Sequence, residues 1–220
     1  MILKEIYLYP EILDYREEIT FLFKKQSRSL CNYIERYLKA VKYQTDDFKR
    51  ICFVCQKEPL SNTYINTCNV LCVSIPMSQD EYTNKKKEFL NEYFISLLML
   101  GMDKCNETHP LPSDIIIAAI NEFRREGYIN EWVFKKKKLK ELGLEFILKC
   151  SLTMDEFSLD LHVAKEKNII YRDNIIKDIP NEFVFNYHLK DLLITNDNIK
   201  VIDKLNKEIY SKNIDEIIAS

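Results

Sequence analysis

Glycine is almost missing from this chain. Its 220 residues hold three, Gly101, Gly127 and Gly143, and they stand far apart. A phosphate-cradling loop needs several glycines within a few positions, so the nucleotide-binding loop motifs are excluded. No HExxH, no GxSxG and no paired metal-binding acids are spelled anywhere, so no catalytic signature is present. No apolar run reaches the ~18 residues that a membrane span requires. Neither sign of charge prevails: 32 lysines and arginines against 34 acids leave a formal net charge of −2. That balance argues against a broad nucleic-acid-binding surface. The opening MILKEIYLYPEILDYREE has early acids and no small-residue cleavage site, so no secretory leader is expected. Seven cysteines, an odd number, are then expected as reduced thiols in a cytoplasmic protein.

What is present reads as an ordinary globular composition, 46% hydrophobic and 30% charged. The firmest pattern runs from Leu144 to Val163. Leu144, Phe146, Leu148, Cys150 and Leu152 alternate with Glu145, Ile147, Lys149 and Ser151, the period of a half-buried strand. Beyond Met154-Asp155 the alternation resumes with Phe157, Leu159, Leu161 and Val163. A two-residue loop at Met154-Asp155 sets Leu152 opposite Phe157, Cys150 opposite Leu159 and Leu148 opposite Leu161. Every apolar residue then shares one face and Lys149 meets Asp160 on the other; a one-residue slip would undo both matches.

Elsewhere, residues 2–9, 48–55 and 70–75 read as strands. Asp14 with Glu17 marks a helix start whose apolar stripe lapses at Gln26-Ser27-Arg28-Ser29, implying one long helix exposed there or two that meet. Ser78 with Glu81 forms a capping box before a stripe from Phe89 to Leu98, on what is expected to be one helix. A further helix is expected from Ser113, stopped by Gly127, and its nearly all-apolar Ile115–Ile120 suggests a central position. Residues 132–142, WVFKKKKLKEL, fit either a strand or an amphipathic helix and are read as a strand before a short turn at Gly143; further strands are expected at 168–176, 183–187 and 199–203, a helical turn at 189–193, and a closing helix over 204–218. No linker marks a boundary, so 1–220 is expected as a single α+β domain: a mainly antiparallel sheet with two or three long helices on one side.

Candidate chemistry is sparse. Cys52 and Cys55, then Cys68 and Cys72, approach the spacing of a four-thiolate zinc site and support an alternative reading as a zinc-binding or nucleic-acid-associated module. Against it, residues three apart on a strand point to opposite faces, and apolar surroundings suit inert buried thiols. His162 and Asp160 share a strand face, but no nucleophile stands beside them. His188–Asp203, HLKDLLITNDNIKVID, echoes a phosphotransferase catalytic loop yet has Lys190 where the catalytic aspartate belongs. The run Lys135–Lys138 reads as an edge strand guarded by lysines. Thus neither enzymatic activity nor a cofactor or metal is expected.

The last third, FVFNYHLKDLLITNDNIKVID, resembles the C-terminal part of some bacterial polymorphic-toxin immunity families, where an extended segment precedes an LKDLL-like helix and a final strand. The chain departs from that pattern at Asn198-Ile199-Lys200, where those families often carry a glycine. The resemblance implies a cytoplasmic bacterial protein that binds and neutralises a cognate protein toxin. An inhibitor of a basic active site benefits from acids that steer association. Asp155, Glu156 and Asp160 on the hairpin are the candidate contacts, with Asp14, Glu17 and Glu18 as a second set.

Overall fold

The computed structural model describes residues 1–106, 108–195 and 197–219. The chain is α+β, and it gathers into two compact units, Met1–Asn130 and Glu131–Ser220. The boundary falls directly between Asn130 and Glu131, with no polar linker to announce it in the sequence.

The first unit is built on a sheet ordered β1-β2-β4-β3, from β1 (Glu5–Pro10), β2 (Arg50–Gln56), β3 (Tyr64–Ile65) and β4 (Val70–Pro76). β1, β2 and β4 run parallel, and only the two-residue β3, invisible to the sequence reading, runs antiparallel to β4. Parallel neighbours need long crossovers. Between β1 and β2 that crossover is α1 (Glu17–Val41), one uninterrupted helix. α2 (Gln79–Asn84), α3 (Leu90–Asn106) and α4 (Ser113–Arg125) follow the sheet.

The polar lapse in the α1 stripe is neither exposed nor a break. Ser27, Arg28, Ser29, Asn32 and Glu35 are all buried. The reason is the edge of the sheet: β1 has a partner on one side only. On its other side Glu35 Oε1 accepts from the Ile6 N–H at 3.0 Å, and Arg28 Nη1 donates to the Ile6 carbonyl at 3.1 Å. The two side chains pair at 2.6 Å. Buried backbone groups must find partners, and here a helix supplies them from its side chains. The start of α1 also differs from expectation. Arg16 occupies the N-cap without a side-chain bond, while Asp14 accepts from the Lys57 N–H at 2.9 Å.

Ser78 caps α2 as its box predicts, accepting from the Glu81 N–H at 3.2 Å. That helix stops at Asn84, however, and the apolar stripe belongs to the separate α3. α3 comes so close to β2 that a Cβ on Gly101 would lie 2.2 Å from the Phe53 ring, which is why glycine stands there. α4 is one-sided and not central: Ile116, Ala119, Ile120 and Phe123 are buried, while Ile117 and Ala118 are exposed.

The second unit holds two antiparallel sheets. One is the meander β5 (Glu131–Leu139), β6 (Leu144–Leu152), β7 (Phe157–Lys165) and β8 (Asn168–Asp178). The other, ordered β11-β10-β9, comprises β9 (Asp191–Ile194), β10 (Asn198–Ile202) and β11 (Glu208–Asn213). The β6–β7 register is the expected one, with Leu152 opposite Phe157, Cys150 opposite Leu159 and Leu148 opposite Leu161. Its apolar face forms one core with Phe185, Leu192, Ile199, Val201, Ile214 and Ile217. Lys149 is in register with Asp160, but its ammonium meets Glu131 at 2.5 Å instead.

Three expectations in this unit are corrected. Residues 183–187 lie in a helix, α5 (Glu182–His188), because the Asn181 side chain caps it, accepting from the Phe183 N–H at 3.0 Å. The segment 189–193 gives a strand, β9, where a helical turn is expected, because β10 offers it a ladder. Residues 204–218 form a turn, β11 and the short α6 (Ile214–Ala219), since pairing with β10 overrides their helical spacing.

Candidate functional site

The tip of the β6–β7 hairpin carries the acids singled out from the sequence. The turn is closed by Thr153, whose N–H donates to the Glu156 carbonyl at 2.9 Å. Its hydroxyl oxygen accepts from the N–H groups of Asp155 and Glu156 at 3.2 and 3.1 Å. Threonine thereby stands in for a backbone turn and holds both acids on a fixed loop. Asp155 and Glu156 are exposed, and Glu156 reaches Lys177 at 3.4 Å. Asp160 sits differently. Half-buried along β7, it accepts from Ser158 at 2.9 Å and from Asn174 at 2.8 Å, so both its oxygens are engaged within the sheet. The structure thus brings Asp155 and Glu156 together at the tip and gives Asp160 a role inside its own sheet.

His162 lies in register with Ile147 and Arg172. Burial, then the Arg172 and Lys149 charges, hold its pKa below the ordinary histidine value against the pull of Asp160. A histidine–carboxylate contact that sequence reading missed lies elsewhere: His188 Nε2 approaches Asp178 at 3.5 Å, while its Nδ1 is buried without a hydrogen-bond partner among the described residues. The nearby Asp203, final residue of the phosphotransferase echo, is buried and accepts from the N–H groups of Leu205 and Lys207, both at 2.9 Å. It is a turn-former. His109 packs edge-on to Phe48 and bonds Thr108 at 2.9 Å.

The four clustered cysteines do not converge. Cys52 and Cys55 take opposite faces of β2, Cys68 is exposed in the turn before β4, and Cys72 lies beside Cys52 in register. Burial pushes the Cys52 thiol up to about 12, with Cys72 adding to the shift. Among the described residues no group of three or more histidine, cysteine or acidic side chains is placed to hold a metal ion. The lysine run lies on β5, an edge strand as expected, and each member has an acid: Lys135 and Lys137 meet Asp191 at 3.1 and 3.6 Å, Lys136 and Lys138 meet Glu145 at 2.8 and 3.4 Å. Those charges hold Glu145 below the usual carboxylate range.

The second set of acids surrounds a turn in the first unit. Glu11 N–H donates to the Cys55 carbonyl at 2.8 Å, and Asp14 N–H to the Glu11 carbonyl at 3.1 Å. On this pinned turn Leu13 is 90% exposed and Ile12 61%. Glu17 and Glu18 follow on the first turn of α1, exposed, with Arg16 reaching Glu18 at 3.9 Å. At the carboxyl ends of β2 and β4 a groove of about 790 Å³ lies between Lys57, Met77–Glu81 and the α3 residues Tyr93, Ser96, Leu97 and Leu100.

Sequence reading also missed a surface at the end of α5. Phe185 packs inward, stacked on Phe157 with ring centroids 4.1 Å apart. Phe183, two residues earlier, is 91% exposed, and Tyr187, four later on the same helical face, is also exposed. The Lys204 N–H donates to the Tyr187 carbonyl at 3.0 Å, and the next residue, Leu205, is 72% exposed. The only signal available in the sequence was the helical spacing of Phe183 and Tyr187, which strand-like composition masked. No family model, no curated protein and no solved structure matches this chain.

Proposed function

We propose that this chain is an immunity protein, which binds one cognate protein toxin and blocks it without turnover of its own. A bacterial, cytoplasmic setting belongs to that reading, as does the resemblance of its last third to such families. The observation that carries it is the hairpin tip: two exposed acids on a turn locked by Thr153. A surface that is already ordered loses little entropy on binding. Acids placed on it steer a basic partner towards it.

The test is a double charge reversal, Asp155→Lys with Glu156→Lys. Asp160 is left alone because its bonds to Ser158 and Asn174 hold the sheet. Affinity for a toxin encoded beside the gene should fall about tenfold or more, mostly through slower association and with a weaker salt dependence. The fold should persist. Undiminished protection of cells by the double variant removes the tip as the contact. A wild type that binds no such toxin removes the immunity reading itself.

A further inference from the structure

In the groove at the carboxyl ends of β2 and β4, one side chain is buried without the partner that burial demands. Tyr93 lines the groove and is 7% exposed, and its hydroxyl has no hydrogen-bond partner among the described residues. A hydroxyl taken out of water and left unpaired destabilises a fold, so such groups are usually met by a bound water or a ligand. The neighbouring buried tyrosines show the contrast: Tyr15 donates to the Met77 carbonyl at 2.7 Å and Tyr82 to Gln26 at 2.6 Å. Burial, then the charges of Glu81 and Cys55, hold the Tyr93 pKa above the ordinary tyrosine value, so the hydroxyl keeps its proton and stays a donor. Cys55 lies near the end of β2 and Glu81 on α2, so both flanks of the groove bear on this one group.

The rest of the lining suits a small molecule. A volume of about 790 Å³ falls within the roughly 300–1,000 Å³ of small-ligand sites. Met77, Leu97 and Leu100 give it an apolar wall, while Lys57, Asp80 and Glu81 add exposed charges of both signs. Glu81 is answered by Lys85 at 3.1 Å, whose ammonium lies 5.2 Å from the centre of the Tyr93 ring. Lys57 and Asp80 take part in no ion pair among the described residues. Asp14 accepts from the backbone N–H of Lys57, not from its ammonium. One cation and one carboxylate are thus left over in a groove with an apolar wall.

We infer that this groove binds a small zwitterion with an apolar side chain, a free α-amino acid or a dipeptide. Lys57 meets the carboxylate of the ligand and Asp80 its ammonium, the Tyr93 hydroxyl donates to the carboxylate, and Met77, Leu97 and Leu100 take the side chain. A ligand with charge of one sign alone would leave either Lys57 or Asp80 unanswered and meet the other as a like charge. All of the lining belongs to the first unit, so the site stands apart from the hairpin tip and does not depend on the toxin reading.

Calorimetric titration of the full chain with L-leucine and with L-leucyl-L-leucine tests it and separates the two sources. At least one of them should saturate a single site with a Kd of about 1 mM or below. Isocaproate, which lacks the amine, and isoamylamine, which lacks the carboxylate, should each bind about tenfold more weakly than the tighter of the two. Tyr93→Phe should weaken binding about tenfold while thermal unfolding stays in place or moves up, because the variant removes a buried hydroxyl that the fold does not pair. Lys57→Met and Asp80→Asn, both at exposed positions, should each weaken binding without moving the melting curve. Absence of saturable binding by either probe up to about 10 mM overturns the inference. So does an acid or an amine that binds as tightly as the zwitterion. A Tyr93→Phe variant that binds like the wild type, leaving the hydroxyl to a water only, overturns it too, as does one that melts clearly lower.

Discussion

Arg28 and Glu35 do what no apolar residue could do at their positions. β1 lies at a sheet edge, so the N–H and carbonyl of Ile6 point away from the ladder and into the packed face of α1. Leaving either group without a partner costs about 1–3 kcal/mol, so a carboxylate and a guanidinium are buried to meet them. Their mutual contact at 2.6 Å offsets part of the desolvation of both charges. Glu35→Ala removes the acceptor for Ile6 and leaves the buried Arg28 charge without this carboxylate. It should lower stability by about 3–5 kcal/mol in urea unfolding. A loss below about 1 kcal/mol would mean the pair is dispensable.

The β6–β7 hairpin is the element in which local pattern and tertiary need agree most fully. Period-two alternation places nine apolar side chains, from Leu144 to Val163, on the face that packs against Phe185, Leu192 and Val201. Leu148 is fully buried and stands opposite Leu161. Leu148→Asp would bury a charge with no counterion in that core, so a loss of about 4 kcal/mol or more is expected. A melting curve that does not move would contradict the register. α5 shows the opposite case. FVFNY has the composition of a strand, yet one Asn181 cap and the Phe185–Phe157 stack make it helical and leave Phe183 outside. Composition reports what a segment tolerates, and caps and neighbours decide between the options.

At the scale of the whole molecule the division at Asn130 and Glu131 is the main finding that composition does not foretell. The second unit has a core of its own, drawn from both its sheets and from α5 and α6. Its strand pairings among the described residues are all antiparallel. A unit with its own core folds by itself. Residues 131–220 expressed alone should therefore unfold in one cooperative urea transition and show dispersed amide NMR signals. A gradual transition with dye-binding apolar surface would show instead that this core depends on residues before 131.

The sequence by itself determined those features whose cause lies within a few residues. The hairpin register follows from alternation about a two-residue loop, the Ser78–Glu81 cap from side chains three apart, and the left-handed turn at Gly143 from a residue that tolerates φ of 64°. The candidate acids at the tip were legible on the same ground. Only the tertiary structure decided which polar residues are buried and which apolar ones are not. Glu35 meets a backbone group 29 positions away in sequence. Lys149 takes Glu131 from the neighbouring strand in preference to the acid in register with it, and β3 and β9 exist because β4 and β10 offer them ladders. Lys204 reaches the Tyr187 carbonyl because Asp203 shapes the turn between β10 and β11. Each of these depends on a partner that the chain brings near only by folding, and period and composition carry no information about it.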